Sequence, residues 1–221
     1  MPRTQRDSPR DLSELIFGYG LILLVLWVPE RVQYILGPIA LAATLLIVLT
    51  RRSKVDEHEA KHQSDQALGF GSRGLISSLW ILPATLTFAA LSILIAKELG
   101  ALHPLYQADA LHITGYVLWT LYQQFLLQDY FMPRLTRLLT SEVAAIAVSA
   151  ILFATAHLPN LPLAIATLVW GAVSCRLFRR YRNLYALGLA QGLLGLCFAV
   201  CIPEALSHHL QVGLGYLNYP N

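Results

Sequence analysis

Long apolar runs separated by short clusters of charge constrain this chain more than any other feature. A membrane-spanning helix needs about 20 mostly apolar residues, because the backbone rises ~1.5 Å per residue across ~30 Å of hydrocarbon. Seven segments meet that need, at 12–29, 32–50, 74–97, 110–132, 142–158, 161–178 and 184–203. Over the 221 residues 56% are apolar and only 13% charged, whereas water-soluble domains carry about a quarter charged. A soluble globular domain, a disordered chain and a collagen-like or disulfide-stapled one are excluded on that ground. The expected fold class is all-α, a polytopic transmembrane bundle of seven spans.

Lys and Arg are distributed unevenly about those segments. Arg3, Arg6 and Arg10 precede the first, and Arg51, Arg52, Lys54, Lys61 and Arg73 fall in the loop 51–73. Arg134 and Arg137 follow the fourth, and Arg176, Arg179, Arg180 and Arg182 close the sixth. With seven spans these 14 share one side, leaving only Arg31 and Lys97 on the other. Basic residues are retained in the cytoplasm. The expectation is therefore a multi-pass protein of the cell (inner, cytoplasmic) membrane, N-terminus inside and C-terminus outside. Trp27-Val28-Pro29-Glu30 is a poor cleavage site, so the first segment is expected to remain as a span. Neither end carries a lipidation motif.

Cys175, Cys197 and Cys201 form no Cys-x-x-Cys pair and are expected to be small buried residues. Gly188 and Gly192, with Gly195 a turn further, give the small-xxx-small spacing of closely packed membrane helices. His58-Glu59-Ala60-Lys61-His62 matches the zinc-peptidase pattern His-Glu-x-x-His, yet it sits in a short charged loop without an apolar core or third ligand. A solvated loop is the expectation there, as for His208-His209 in the tail.

Polar side chains deep in a membrane are costly and mark the place to look for function. The fourth span holds Gln123, Gln124, Gln128 and Asp129. At α-helical spacing Gln124 and Gln128 share a face. The fifth span ends at His157 and the seventh carries Gln191. Gln124 and Gln191 lie at comparable depths, ~12–15 Å from the cytoplasmic loops. Asp129 is expected to pair with Arg134 or Arg137 near the surface. A structural hydrogen-bond network and a functional cluster both remain open from these residues alone.

At these positions the sequence resembles the CPBP family of intramembrane peptidases, which includes CAAX prenyl proteases and bacteriocin-processing, Abi-like proteins. That family is read by Glu-Glu-x-x-x-Arg, then Phe-x-x-x-His, then His-x-x-x-Asn or Asp. Gln123-Gln124-x-x-x-Gln128 occupies the first motif, Phe153-x-x-x-His157 matches the second, and Gln191-x-x-x-Gly195 stands at the third. The resemblance covers residues 115–200 or so, and implies a family core at 110–203. It leaves 1–109 as N-terminal helices with the cytoplasmic loop 51–73, and 204–221 as an extracytoplasmic tail.

The resemblance implies endopeptidase cleavage of a membrane-anchored peptide or protein, with Gln123, Gln124, Gln128, His157 and Gln191 at the catalytic positions. A glutamate can take a proton from the attacking water, whereas a neutral amide is no base near pH 7. The expectation is thus a divergent or catalytically impaired member, a pseudoenzyme at the limit. Zinc is not supported, since amides are poor ligands beside one imidazole, and no cofactor is expected. The bilayer is the expected partner besides a substrate, and no nucleic acid. The alternatives are a non-catalytic membrane scaffold or a ligand-binding subunit of a larger membrane complex.

Overall fold

The computed structural model describes residues 8–52, 69–71, 74–105 and 108–219. The His-Glu-x-x-His segment at 58–62 lies outside them. The described residues contain helices and no strand. In chain order these are α1 (Ser8–Leu26), α2 (Glu30–Arg52), α3 (Leu75–Ser78), α4 (Ile81–Glu98) and α5 (Ala110–Phe125). A π-helical segment (Leu126–Phe131) follows, then α6 (Met132–Leu138), α7 (Glu142–Thr155), α8 (Leu161–Tyr181) and α9 (Leu184–Cys201). The chain ends in α10 (Glu204–Ser207), a 3₁₀ turn (His208–Leu210) and α11 (Gly213–Leu217).

All seven expected segments are helical. Four helical stretches, Arg31–Thr50, Leu75–Glu98, Leu161–Tyr181 and Leu184–Cys201, are long and apolar enough to cross a membrane. The other three expected spans carry something that interrupts an apolar run of that length. Helix α1 includes Asp11 and Glu14, the fourth segment changes from α to π at Leu126, and α7 has 14 residues.

Helix boundaries follow local chemistry. Ser141 and Asn183 accept hydrogen bonds from the amides of Ala144 and Ala186, capping α7 and α9. The Asn160 carbonyl and side chain receive the amides of Ala164 and Leu163, starting α8. Asp109 caps α5 through the amides of Leu111 and His112. Those bonds, His112's foremost, hold its carboxyl below the usual range.

The chain forms two compact units. The first contains residues 1–55, 126–175 and 212–220. Here α1 runs antiparallel to the π segment and α6, in register at three successive levels. The Arg137 guanidinium forks onto the Asp11 carboxylate with both bonds at 2.8 Å. Arg134 Nη2 and Nε donate to Glu14 at 2.7 and 3.0 Å. One turn on, the Tyr130 ring lies over Gly18, where a Cβ would come within 2.4 Å of it. The absence of that side chain lets the Tyr130 hydroxyl donate to the Glu14 carbonyl at 2.6 Å. Steps of three and four residues on α1 are matched by equal steps in the opposite direction on its partner.

The second unit contains residues 56–125 and 176–211. Helix α9 packs against both α4 and α5, and its glycine stripe explains the close approach to α5. A Cβ on Gly188 would lie 2.9 Å from the Leu121 Cα, one on Gly192 would lie 3.3 Å from Thr120, and one on Gly195 would meet the Tyr116 hydroxyl at 1.8 Å. Thr120 uses that proximity to donate to the Gly188 carbonyl at 2.9 Å. On the α4 side, Cys197 donates weakly to the Ala89 carbonyl at 3.6 Å.

Gly188→Ala should lower stability in detergent by about 1–3 kcal/mol, because the added methyl would meet the Leu121 side chain at 2.4 Å and, behind it, the Leu121 Cα at 2.9 Å, which cannot swing aside. Gly20→Ala, with nothing within 4 Å of its Cβ, should show no loss. Thermal unfolding of the two variants side by side tests the assignment, and equal melting temperatures would sink it.

Candidate active site

Three of the five expected positions come together within the second unit. Gln124 is fully buried near the C-terminal end of α5. Its Nε2 donates to Gln191 Oε1 at 2.6 Å, so the depth match expected for these residues is realised as a direct bond. Gln191 in turn donates from Nε2 to Gln123 Oε1. The three side chains form a directional chain, Gln124 to Gln191 to Gln123, with Gln123 half-buried at its end. A row of amides in which each donates to the next is mutually polarised. The last amide, on Gln123, is a strengthened N–H donor and carries no ionisable group. Geometrically the chain sits one turn beyond the Thr120–Gly188 bond, so the glycine stripe that brings the backbones close also brings the amides within reach.

Gln128 belongs to the π segment and to the first unit. Its Nε2 lies 3.4 Å from Ser174 Oγ. The face it was expected to share with Gln124 rests on an α-helical period, and the intervening turn is π-helical, with i→i+5 bonds in place of i→i+4. Single π turns inside longer helices occur frequently at functional sites. The whole segment is buried, Asp129 and Tyr130 included.

His157 closes the first unit's α7 end and is buried. Its Nδ1 lies 2.7 Å from the Phe153 carbonyl oxygen, an acceptor only, so Nδ1 carries the proton and donates. The neutral ring then presents Nε2 with its lone pair as an acceptor or base. The Phe153 ring packs edge-on at 4.9 Å and fixes the imidazole plane. The turn that follows is held from two further directions. Asn160 returns its amide to the His157 carbonyl at 3.1 Å, and Gly213 donates to the Leu158 carbonyl at 2.9 Å. Gly213 has φ +56, and a Cβ there would lie 2.3 Å from the Leu26 carbonyl oxygen, so the tail is fitted against α1 as well. Tyr19 adds a bond to Thr155, two residues before His157, at 2.7 Å.

The carboxylates engaged by Arg134 and Arg137 are those of Glu14 and Asp11, where sequence spacing favoured Asp129. Arg134 is also stacked on the Tyr130 ring at 3.9 Å. This clamp was missed because its two halves lie over a hundred residues apart. The available signal was two acids three apart on α1 and two arginines three apart on α6. His209 pairs with Glu204 at 2.8 Å, so the tail's histidine pair is partly engaged where solvated sequence was expected. Among the described residues no three His, Cys, Asp or Glu side chains form a group that could hold a metal ion.

A family model described as type II CAAX prenyl endopeptidase Rce1-like matches residues 66–197, more than half of the chain. The protein belongs to that family, and its apolar helices make it a CAAX protease-like multi-pass membrane protein. No curated protein and no solved structure matches it. The matched stretch includes Gln123, Gln124, Gln128, His157 and Gln191 and leaves out α1, whose acids hold the π segment and α6.

Arg134→Ala should destabilise the protein by about 3 kcal/mol, since it leaves Glu14 without its buried partner. Arg10, which bonds the same carboxylate from a side chain 55% exposed, should cost under about 0.5 kcal/mol when changed to Ala. Denaturant unfolding in detergent would separate the two, and equal losses would contradict a buried clamp.

Proposed function

We propose that this protein binds a membrane-anchored peptide in the manner of its family while lacking the family's hydrolytic base. The observation that carries the reading is the amide chain. The two positions where the family places glutamates hold Gln123 and Gln124, joined through Gln191. Hydrolysis of a peptide bond requires a group that removes a proton from water as the oxygen attacks. An amide accepts and donates hydrogen bonds but takes no proton near pH 7. The terminal Gln123 N–H groups suit a different task, donation to a carbonyl oxygen of an extended backbone. The protein would then serve as a scaffold, chaperone or immunity-like partner for a peptide that a catalytic relative would cut.

A second reading is supported by His157. Its Nδ1–H is committed to the Phe153 carbonyl, which leaves Nε2 in the tautomer of a general base. A divergent peptidase would use that nitrogen to activate water, with the amides orienting the scissile carbonyl. Both readings take the seven-span arrangement, N-terminus in the cytoplasm and tail outside, as supported by the distribution of Lys and Arg.

The test compares wild type, His157→Ala and Gln123→Glu/Gln124→Glu in proteoliposomes, scoring both retention and cleavage of a pool of membrane-anchored peptides. The expected result is peptide retention without cleavage by wild type, with cleavage gained in the glutamate variant. Cleavage by wild type that disappears with His157→Ala would replace the first reading with the second. Wild type that neither retains nor cleaves any peptide, while the glutamate variant also stays silent, would count against both.

A further inference from the structure

Helix α9 ends in a pair of thiols. Cys197 and Cys201 stand at i and i+4, on one face of the helix, and their sulfurs lie 3.8 Å apart. Cys197 is buried and its thiol is aimed at the Ala89 carbonyl on α4 at 3.6 Å. Cys201 is half-buried. It is the last residue of a helix apolar enough to cross a membrane, and Pro203 and Glu204 just beyond it are exposed. The third cysteine, Cys175, is fully buried in the first unit.

The backbone that carries the pair is held from several sides. The Ile202 amide closes the last turn onto the Phe198 carbonyl at 3.0 Å. His103, in the loop after α4, donates its own amide to the Val200 carbonyl at 3.1 Å. Its ring Nε2 lies 2.6 Å from the Ile202 carbonyl oxygen, an acceptor only, so that nitrogen carries the proton and donates. Carbonyls on both sides of Cys201 are thereby fastened to one residue, and the turn keeps its α-helical spacing.

That spacing decides what the two thiols can do together. Residues four apart on a helix hold their Cβ atoms about 5–6 Å apart, whereas a disulfide draws them to about 3.5–4.5 Å. Closing a disulfide would pull the last turn out of shape, against the bonds that hold it. A single atom placed between the sulfurs needs no such movement. With metal–sulfur bonds of about 2.3 Å, the length for zinc, the 3.8 Å separation sets an S–metal–S angle of about 111°, close to tetrahedral. Charge selects the ion as well. Two thiolates and a divalent cation sum to zero, so the end of an apolar helix is left with no net charge to bury. Thiolate sulfur is a soft ligand and prefers ions such as zinc to magnesium or calcium.

We propose that Cys197 and Cys201 chelate one soft divalent metal ion of the zinc class. Each thiol gives up a proton to water, the ion accepts a lone pair from each sulfur, and nothing is oxidised or reduced. The Cys197 proton leaves its bond to the Ala89 carbonyl in the exchange. Solvent on the open side of Cys201 completes the coordination, so the ion is held by two protein ligands and exchanges readily. Bound there, it fastens the last turn of the helix that carries Gln191. This site does not rest on the peptide reading.

The experiment titrates the full, untagged chain, reduced and stripped with chelator in a neutral detergent, with Cd2+ while the ultraviolet band of cadmium–thiolate charge transfer is followed. Wild type should develop the band up to one Cd2+ per chain, release two protons for each ion, and lose the band when excess Zn2+ is added. Excess Mg2+ should displace nothing. Cys197→Ser and Cys201→Ser should each weaken binding by about a hundredfold, because a two-point chelate becomes a single contact. Cys175→Ser should leave the titration unchanged. Absence of the band in wild type would overturn the proposal without recourse to any variant. A band that survives intact in either serine variant, or one that requires Cys175, would overturn it equally. Should a serine variant not fold, wild type alkylated at Cys201, the one cysteine that is not buried, carries the comparison, and an undiminished band after alkylation would overturn the proposal.

Discussion

In a chain this apolar, each polar side chain on a helix must find its partner inside the protein, because hydrocarbon offers none. That requirement organises both units. In the first, Asp11 and Glu14 would be untenable on an apolar helix without Arg137 and Arg134. Because the acids and the arginines are spaced alike, one antiparallel register satisfies both pairs together and a slip by one residue satisfies neither. The clamp therefore sets the position of α6 along α1, and with it the π segment that holds Gln128. Buried pairs of this kind add little net stability against an apolar alternative. Their consequence here is register.

In the second unit the same requirement is met by neutral groups, and steric access is the enabling condition. Amide side chains on two helices meet only if the backbones approach closely, and Gly188 and Gly192 remove what would stand between α9 and α5. The Thr120 hydroxyl confirms how near they are by reaching a backbone carbonyl on the opposite helix. From that bond to the Gln124–Gln191 bond is a single turn on each helix. Packing and polarity are thus one device: the stripe of small residues determines which amides can pair.

Hydropathy alone made the helical class and the position of each apolar segment legible, since periodicity and length are local properties. The glycine spacing announced a close helix pair, and counting depth from the charged loops matched Gln124 with Gln191. Two things were not legible. The π turn at Leu126 has no local signature among Leu126, Leu127 and Gln128, and it changes the backbone hydrogen-bond pattern through Phe131. The Glu14–Arg134 pair is a contact between residues 120 apart. A nearby acid, Asp129, offered itself as a partner for the same arginine, and sequence proximity favoured it for no deeper reason than chain distance.

Replacement of glutamate by glutamine changes chemistry far more than shape. The two side chains have nearly the same volume and the same reach, so a bundle built around one accommodates the other without repacking. What differs is the cost of burial. An ionised carboxylate at the depth of Gln124 needs a cation or several donors to offset its lost hydration, while an amide needs one acceptor and one donor. Gln191 supplies an acceptor to Gln124 and a donor to Gln123, which is the pairing two neutral amides need. Two adjacent carboxylates in the same places would compete for the single Gln191 amide and repel one another. The side chain at 191 is therefore matched to glutamines at 123 and 124 as a set. On the reading proposed above, three positions that agree on neutrality would hold a hydrogen-bonding ligand in place where the family's glutamates would move a proton.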